Sequence, residues 1–224
     1  MSTTMERDGI VAERVRDAAS RREVVAVLRD TYQREKHWVT DPEGQFPLSD
    51  LTRSDISWFV ARLNGRPVGV VRMFYDPPIE AYAAYGFRVL DPSIKVEDFI
   101  RRRGLAEIGR FAVLPKRRGQ IMIAAALMRA ATVEGLDRGT THLLTDVFED
   151  DPHSPYGFHT RVLGFRPIAT HEVGELNSQS RRITLLLDLS ACYKRLRGRN
   201  HWFYRFLASE LPEQVHERLG VIAA

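Results

Sequence analysis

The sequence predicts an α/β fold, α+β in its layering: a central mixed sheet flanked by helices, with a helical C-terminal tail. Three observations predict it. Strand-like and helix-like segments alternate through residues 10–189, the pattern of helices laid on a sheet. Asn64-Gly65 sits between two apolar, β-branched runs and is the strongest hairpin signal in the chain. Residues 105–131, LAEIGRFAVLPKRRGQIMIAAALMRAA, read as strand, basic turn and helix. A strand running into a glycine-containing basic turn and a helix start is a generic anion-binding arrangement.

Taken in order, residues 10–17 read as a first strand, with Ile10, Val11 and Val15 apolar. Ser20 is the expected N-cap of the next helix, and Glu23 completes a capping box. In that helix Val24, Val27, Leu28 and Thr31/Tyr32 recur at helical spacing. It leads into Glu35-Lys36-His37-Trp38 and a loop over 40–51. Residues 56–63 and 67–75 are the two strands of the hairpin. Residues 76–98 form a long irregular insert with Pro77, Pro78 and Pro92 and with Tyr82, Tyr85 and Phe87; long inserts are often functional.

The central stretch opens on a strand with Ile108, Phe111 and Val113, which Pro115 stops. The helix after the turn is expected to turn Ile121, Ala125, Met128 and Thr132 to the core and to end near Gly135. A strand over 141–148, an acidic loop over 149–154 and a short helix over 154–163 follow, then Gly164-Phe165. Residues 168–172 and 182–189 are the last pair of strands. The tail, 190–224, reads as two helices, the first basic and aromatic, with its aromatics packed on the domain or on a second subunit. The expected division is a domain over 1–189 and a helical extension over 190–224.

Composition narrows the class. The chain has 224 residues, 44% hydrophobic and 28% charged, as in soluble globular proteins. One cysteine, Cys192, excludes an internal disulfide and a cysteine-based zinc site. The N-terminus lacks an apolar signal core and no run is long enough to span a bilayer, so a cytoplasmic protein without stable membrane insertion is expected. A net charge of +4 favours acidic partners. No nucleic-acid-binding motif stands out, so nucleic acid is not the expected partner. The polar run from His171 and Glu172 onward is not H-E-x-x-H, and no metal is expected.

The run V-x-P-x-x-R-G, read as Val113, Pro115, Arg118 and Gly119, resembles the acyl-CoA-binding segment of the GNAT superfamily of N-acetyltransferases. The preceding E-x-x-R-F-x-V, read as Glu107, Arg110, Phe111 and Val113, resembles one branch of it. That branch holds the autoinducer (acyl-homoserine-lactone) synthases and the long-chain N-acyl amino acid synthases. The resemblance spans roughly residues 10–189. It implies a mostly antiparallel GNAT-like sheet and acyl transfer from a thioester to an amine.

Such a reaction needs a base for the amine, donors for the oxyanion and a hold on the carrier's phosphate. The resemblance implies Glu107 as base, with an edge carboxylate as the alternative. It places oxyanion donors among the backbone amides of Phe111, Ala112 and Val113, where GNAT sheets splay. Lys116, Arg117, Arg118, Gly119, Gln120 and Ile121 line the phosphate turn. The resemblance puts the leaving-group acid ahead of Leu163-Gly164-Phe165, at the place of His159 or Thr160, with Tyr156 close by. Trp38, Arg72, Arg110, His171 and Glu172 are the expected substrate-binding residues, Arg72 for an acceptor carboxylate. Asp41 and Glu43 are a candidate acidic cluster, although the synthases' D-x-x-D spacing is absent.

The family continues R-G-x-G-x-G/A, whereas this chain has Ile121 and Ile123 in place of glycines. These side chains are expected to crowd a diphosphate and to favour an acyl carrier protein, whose phosphopantetheine bears one phosphate. The co-substrate is thus acyl-CoA or an acyl carrier protein, with no permanently bound cofactor. The acceptor is an amino acid or related small amine, and a homodimer stays open. The competing reading is a non-catalytic acyl-CoA sensor or interaction module.

Overall fold

A computed structural model describes residues 9–77, 85–90, 104–208 and 211–221. Its strands are β1 (Ile10–Arg14), β2 (Ile56–Leu63), β3 (Arg66–Tyr75), β4 (Arg88–Val89), β5 (Leu105–Val113), β6 (His142–Phe148), β7 (Arg166–His171) and β8 (Arg182–Asp188). The α-helices among the described residues are α1 (Ala18–Leu28), α2 (Ile121–Asp137), α3 (Leu189–Gly198), α4 (Trp202–Ala208) and α5 (Glu213–Val221). The eight strands follow the order β1-β2-β3-β5-β6-β8-β7-β4. β5 and β6 pair in parallel; the β1–β2, β2–β3, β6–β8, β7–β8 and β4–β7 pairs are antiparallel. The sheet is therefore mixed and mostly antiparallel, as expected. Most of the insert over 76–98, Tyr82 included, lies outside the described residues.

The chain divides into two compact units, and the boundary falls inside β3 and inside β5. The first holds the described residues up to Phe74 together with Ile108–Glu134. Its core gathers Val24, Val27 and Leu28 of α1, Trp58 and Val60 of β2, Val70 of β3, and Ile123 and Leu127 of α2. The β2–β3 turn at Asn64-Gly65 takes φ values of +50° and +76°, the geometry a tight hairpin needs. Gly69 is small for a different reason. A Cβ there would lie 3.1 Å from the Ala112 carbonyl oxygen, Ile123 Cγ2 and Leu127 Cδ1, so its absence lets β5 and α2 close onto β3.

Four expectations about α1 and α2 are corrected. Asp17, not Ser20, caps α1: its Oδ1 accepts from the Ser20 amide at 2.8 Å. Glu23 makes no capping box because its carboxylate takes the Arg62 guanidinium of β2, with Nε at 2.8 Å. In α2 the buried residues are Ile123, Ala125, Leu127, Met128, Ala131 and, in the last turn, Gly135 and Leu136, whereas Ile121 is 47% exposed. The buried stripe therefore begins two residues later than expected. The helix also continues past Gly135 to Asp137.

The second unit holds Tyr75–Glu107 and the chain from Gly135 onward, within the described ranges. Leu105, Leu144, Ile168, Ala169 and Leu186 form its sheet core, with Tyr85 and Phe87 packed against it. The tail forms three helices rather than two. Phe203 meets Phe158 edge-on at 5.7 Å, Arg195 donates to the Val162 carbonyl, and Ser190 Oγ donates to the Leu219 carbonyl at 2.6 Å. The tail's aromatics thus pack on their own domain, while Trp202 stays partly exposed.

Two helical segments widen into π-type turns, Arg29–Glu35 and Phe158–Leu163. The Lys36 amide reaches back to the Thr31 carbonyl and the Gly164 amide to that of His159, each at i→i+5. Such turns are rare and frequently fall at functional sites.

Candidate functional site

In the first unit the site is built on the C-terminal half of β5. Arg110 has φ +50°, a left-handed conformation that costs a non-glycine residue about 1–2 kcal/mol. It bends the strand in mid-course, and backbone strain of this kind clusters at functional sites. The Arg110 Nε donates to Gln45 Oε1 at 2.9 Å. The next carbonyl, that of Phe111, accepts from the Tyr32 hydroxyl at 3.3 Å. Tyr32 in turn meets Trp38 edge-on, 5.2 Å between ring centres, with the Lys36 ammonium 5.4 Å from the Trp38 ring centre. Ala112 is buried, and Phe111 and Val113 are half-buried.

After the bend, the Leu114 amide donates to the Val68 carbonyl at 2.9 Å, and Pro115–Arg117 form a short 3₁₀ turn. Lys116, Arg117, Gly119 and Gln120 are exposed. The turn delivers the chain to the N-terminus of α2, where helix geometry leaves the first amides without an i−4 acceptor; of these, the Ile123 amide already donates to the Gln120 carbonyl at 3.0 Å. Exposed cations and helix-end amides together suit an anion. Arg118 is already engaged: its two terminal nitrogens each lie 2.5 Å from the Glu35 carboxylate oxygens.

The crowding expected from the two isoleucines is corrected. Ile123 is fully buried in the core, and only Ile121 stands beside the turn. Arg72 is buried, with its guanidinium 5.8 Å from the Phe74 ring centre. Asp41 accepts from the Glu43 amide, and Glu43 pairs with Arg21 at 2.9 Å, so both serve the loop's own structure.

In the second unit Glu107 is half-buried and stands opposite Leu144 at the last paired position of β5 and β6. Tyr156 is 37% exposed. His159 lies in the π-type segment, 4.9 Å from the Phe165 ring. Burial lowers its pKa to about 4, with the Pro155 backbone opposing. Its Nδ1 finds no hydrogen-bond partner among the described residues. His159 is therefore a neutral imidazole at neutral pH, not a ready proton donor.

His171 is different. Its Nδ1 lies 2.7 Å from the Val173 carbonyl and its Nε2 3.0 Å from Asp146 Oδ2. Burial works to lower its pKa, but the hydrogen bond and charge of Asp146 outweigh it and the net shift is upward. Tyr85 and Phe87 flank the ring at 6.0 and 6.2 Å. Glu172, exposed, contributes its carbonyl to Arg182 at 2.8 Å.

The structure thus brings together Trp38, Arg110 and Phe111 with Tyr32 and Gln45 in one unit, and His171 with Asp146 in the other. Tyr32, Gln45 and Asp146 were not expected as site residues. A tyrosine in an apolar helical stripe reads as core, and nothing local marks a glutamine in a loop. Among the described residues no group of three or more His, Cys, Asp or Glu side chains could hold a metal ion, and no helix is long and apolar enough to cross a membrane.

Comparison with known proteins gives the family. Residues 14–165 match the acetyltransferase (GNAT) family, and the chain belongs to it. It is an acyltransferase by family. No curated protein sequence matches the chain. Among solved structures, it resembles FeeM, an N-acyl amino acid synthase from uncultured soil microbes, with TM-score 0.63 and 17% identity over 83% of this chain and 93% of that one. It also resembles a ribosomal-protein-alanine N-acetyltransferase from Brucella melitensis (TM-score 0.55, 16% identity, 80% and 99% covered). A third is an aminoglycoside 6'-N-acetyltransferase complexed with coenzyme A (TM-score 0.52, 12% identity, 79% and 96% covered). At these identities the likeness shows the fold.

Proposed function

We propose that the protein transfers an acyl group from a CoA or acyl-carrier-protein thioester to the amine of an amino acid or related small molecule. The amine attacks the thioester carbonyl directly, a tetrahedral intermediate forms, and the thiol departs. The observation that carries this reading is the left-handed backbone at Arg110, on the strand that leads into the basic turn. The peptide groups of residues 111–113, which follow it, are the candidate oxyanion donors.

In this reading Glu107 accepts the amine proton, directly or through a water. The amides of Phe111 to Val113 stabilise the oxyanion. Lys116, Arg117 and the first amides of α2 hold the carrier's phosphate, with Arg118 supporting the turn through Glu35. His159, kept neutral by burial, has a packing role, and Tyr156 is the better-exposed donor for the departing thiolate. Arg72 is assigned to the acceptor's carboxylate. The synthase-like branch is favoured by the E-x-x-R-F-x-V run, and the likeness to FeeM is in keeping with it.

The test is thiol release from acyl-CoAs and acyl carrier proteins in the presence of individual amino acids. Release that depends on one amino acid supports the reading. Donor binding without release with any acceptor points to a sensor instead.

A further inference from the structure

We propose that Tyr32 and Gln45 are positioning residues for acyl transfer, which hold β5 in its bent form and thereby aim the amides that follow. This deepens the proposed function and rests on it. A backbone carbonyl partly withdrawn from water needs a donor. The Phe111 carbonyl finds the Tyr32 hydroxyl at 3.3 Å. One residue earlier, Arg110 occupies a conformation that its own backbone disfavours. Such a conformation persists only where its surroundings over-determine it, and here Gln45 Oε1 holds the Arg110 guanidinium at 2.9 Å.

Tyr32 projects from the π-type segment Arg29–Glu35, whose last residue, Glu35, also grips Arg118 in the turn. One widened helical turn thus ties down the bent strand and the basic turn together. The widening has a consequence here. At α-helical spacing Tyr32 and Glu35, three residues apart, are near neighbours on one face; the i→i+5 turn increases the angle between them. Each then reaches its own partner on the β5–α2 connection. The Trp38 ring, edge-on to Tyr32, fixes the phenol that carries the hydroxyl.

The substitutions Tyr32→Phe and Gln45→Leu test this, with Gln45→Glu as the conservative rescue because it keeps an oxygen for Arg110. Thiol release is measured with short- and long-chain acyl-CoAs and an amino-acid mixture. Hydrogen exchange is followed over residues 108–113, with residues 56–63 as the internal reference. The expected result is a kcat lower by about 10- to 100-fold, a donor KM within about 2-fold of wild type, and faster exchange confined to 108–113. Gln45→Glu is expected to restore most of kcat. Wild-type kcat in both variants, or unchanged exchange over 108–113, overturns the proposal. So does a joint collapse of kcat, KM and thermal midpoint that Gln45→Glu does not rescue, which marks a purely structural role. A wild-type protein that releases no thiol with any donor and acceptor removes the acyl-transfer reading itself. That is distinct from a wild type that turns over and variants that match it.

Discussion

Two histidines in the second unit respond to protons in opposite directions. His159, with its pKa lowered to about 4, is neutral in the folded protein while the unfolded chain protonates near 6.5. Its contribution is whole above about pH 6.5, falls as pH drops toward 4, and amounts to on the order of 3 kcal/mol at full development. His159→Gln is expected to flatten the loss of stability between pH 6.5 and 4, measured as urea midpoints across that range. His171, with its pKa raised by Asp146, stabilises below its ordinary value and loses that contribution as pH rises through the folded value. At the turn, Arg118→Ala releases Glu35 and loosens the phosphate hold. We expect a higher donor KM with a smaller effect on the acceptor's, and an effect confined to the acceptor would move the phosphate site elsewhere. Glu107→Gln is expected to lower kcat by roughly 100-fold or more, as loss of a general base does, with donor binding retained by calorimetry.

At the scale of elements, β2 and the hairpin turn were legible because their signals are local: alternation, a β-branched run and Asn-Gly. The same holds for β5 and the basic turn. What could not be read are features decided by partners far along the chain. Ser20 and Glu23 form a plausible capping box, but Arg62 claims Glu23 and leaves Asp17 to cap. Ile121 looks like the start of an apolar stripe, yet the core lies under Ile123 because Gly69 of β3 admits it there. The bend at Arg110 carries no sequence mark, since a left-handed residue is usually glycine and here Gln45 supplies the compensation. The π-type turns are likewise invisible to a periodicity of 3.6. Gly69→Val is therefore expected to destabilise by about 1–3 kcal/mol, the range for forcing atoms into a packed interior. Equilibrium urea unfolding checks it.

For the whole molecule, the sequence carried the layered mixed sheet and the family, because the order of strands and helices and the V-x-P-x-x-R-G run can both be read locally along the chain. Around β5, Glu107, Arg110 and the turn residues stand out through their motifs and are proposed for the site, whereas Tyr32 and Gln45 carry no such motif and come into view only in the fold. We propose that the helical tail, 190–224, is an extension of the 1–189 domain that nonetheless supports it. Phe203 against Phe158 and Arg195 on the Val162 carbonyl predict that removing 190–224 lowers the thermal midpoint rather than leaving it unchanged. The central claim is that the bent β5 and its turn perform acyl transfer to an amine. Thiol release with a panel of acyl-CoAs and acyl carrier proteins, each tested against single amino acids, addresses it most directly. The account predicts release that requires one particular acceptor and is lost in Glu107→Gln; donor binding with no release, or release indifferent to Glu107, would contradict it.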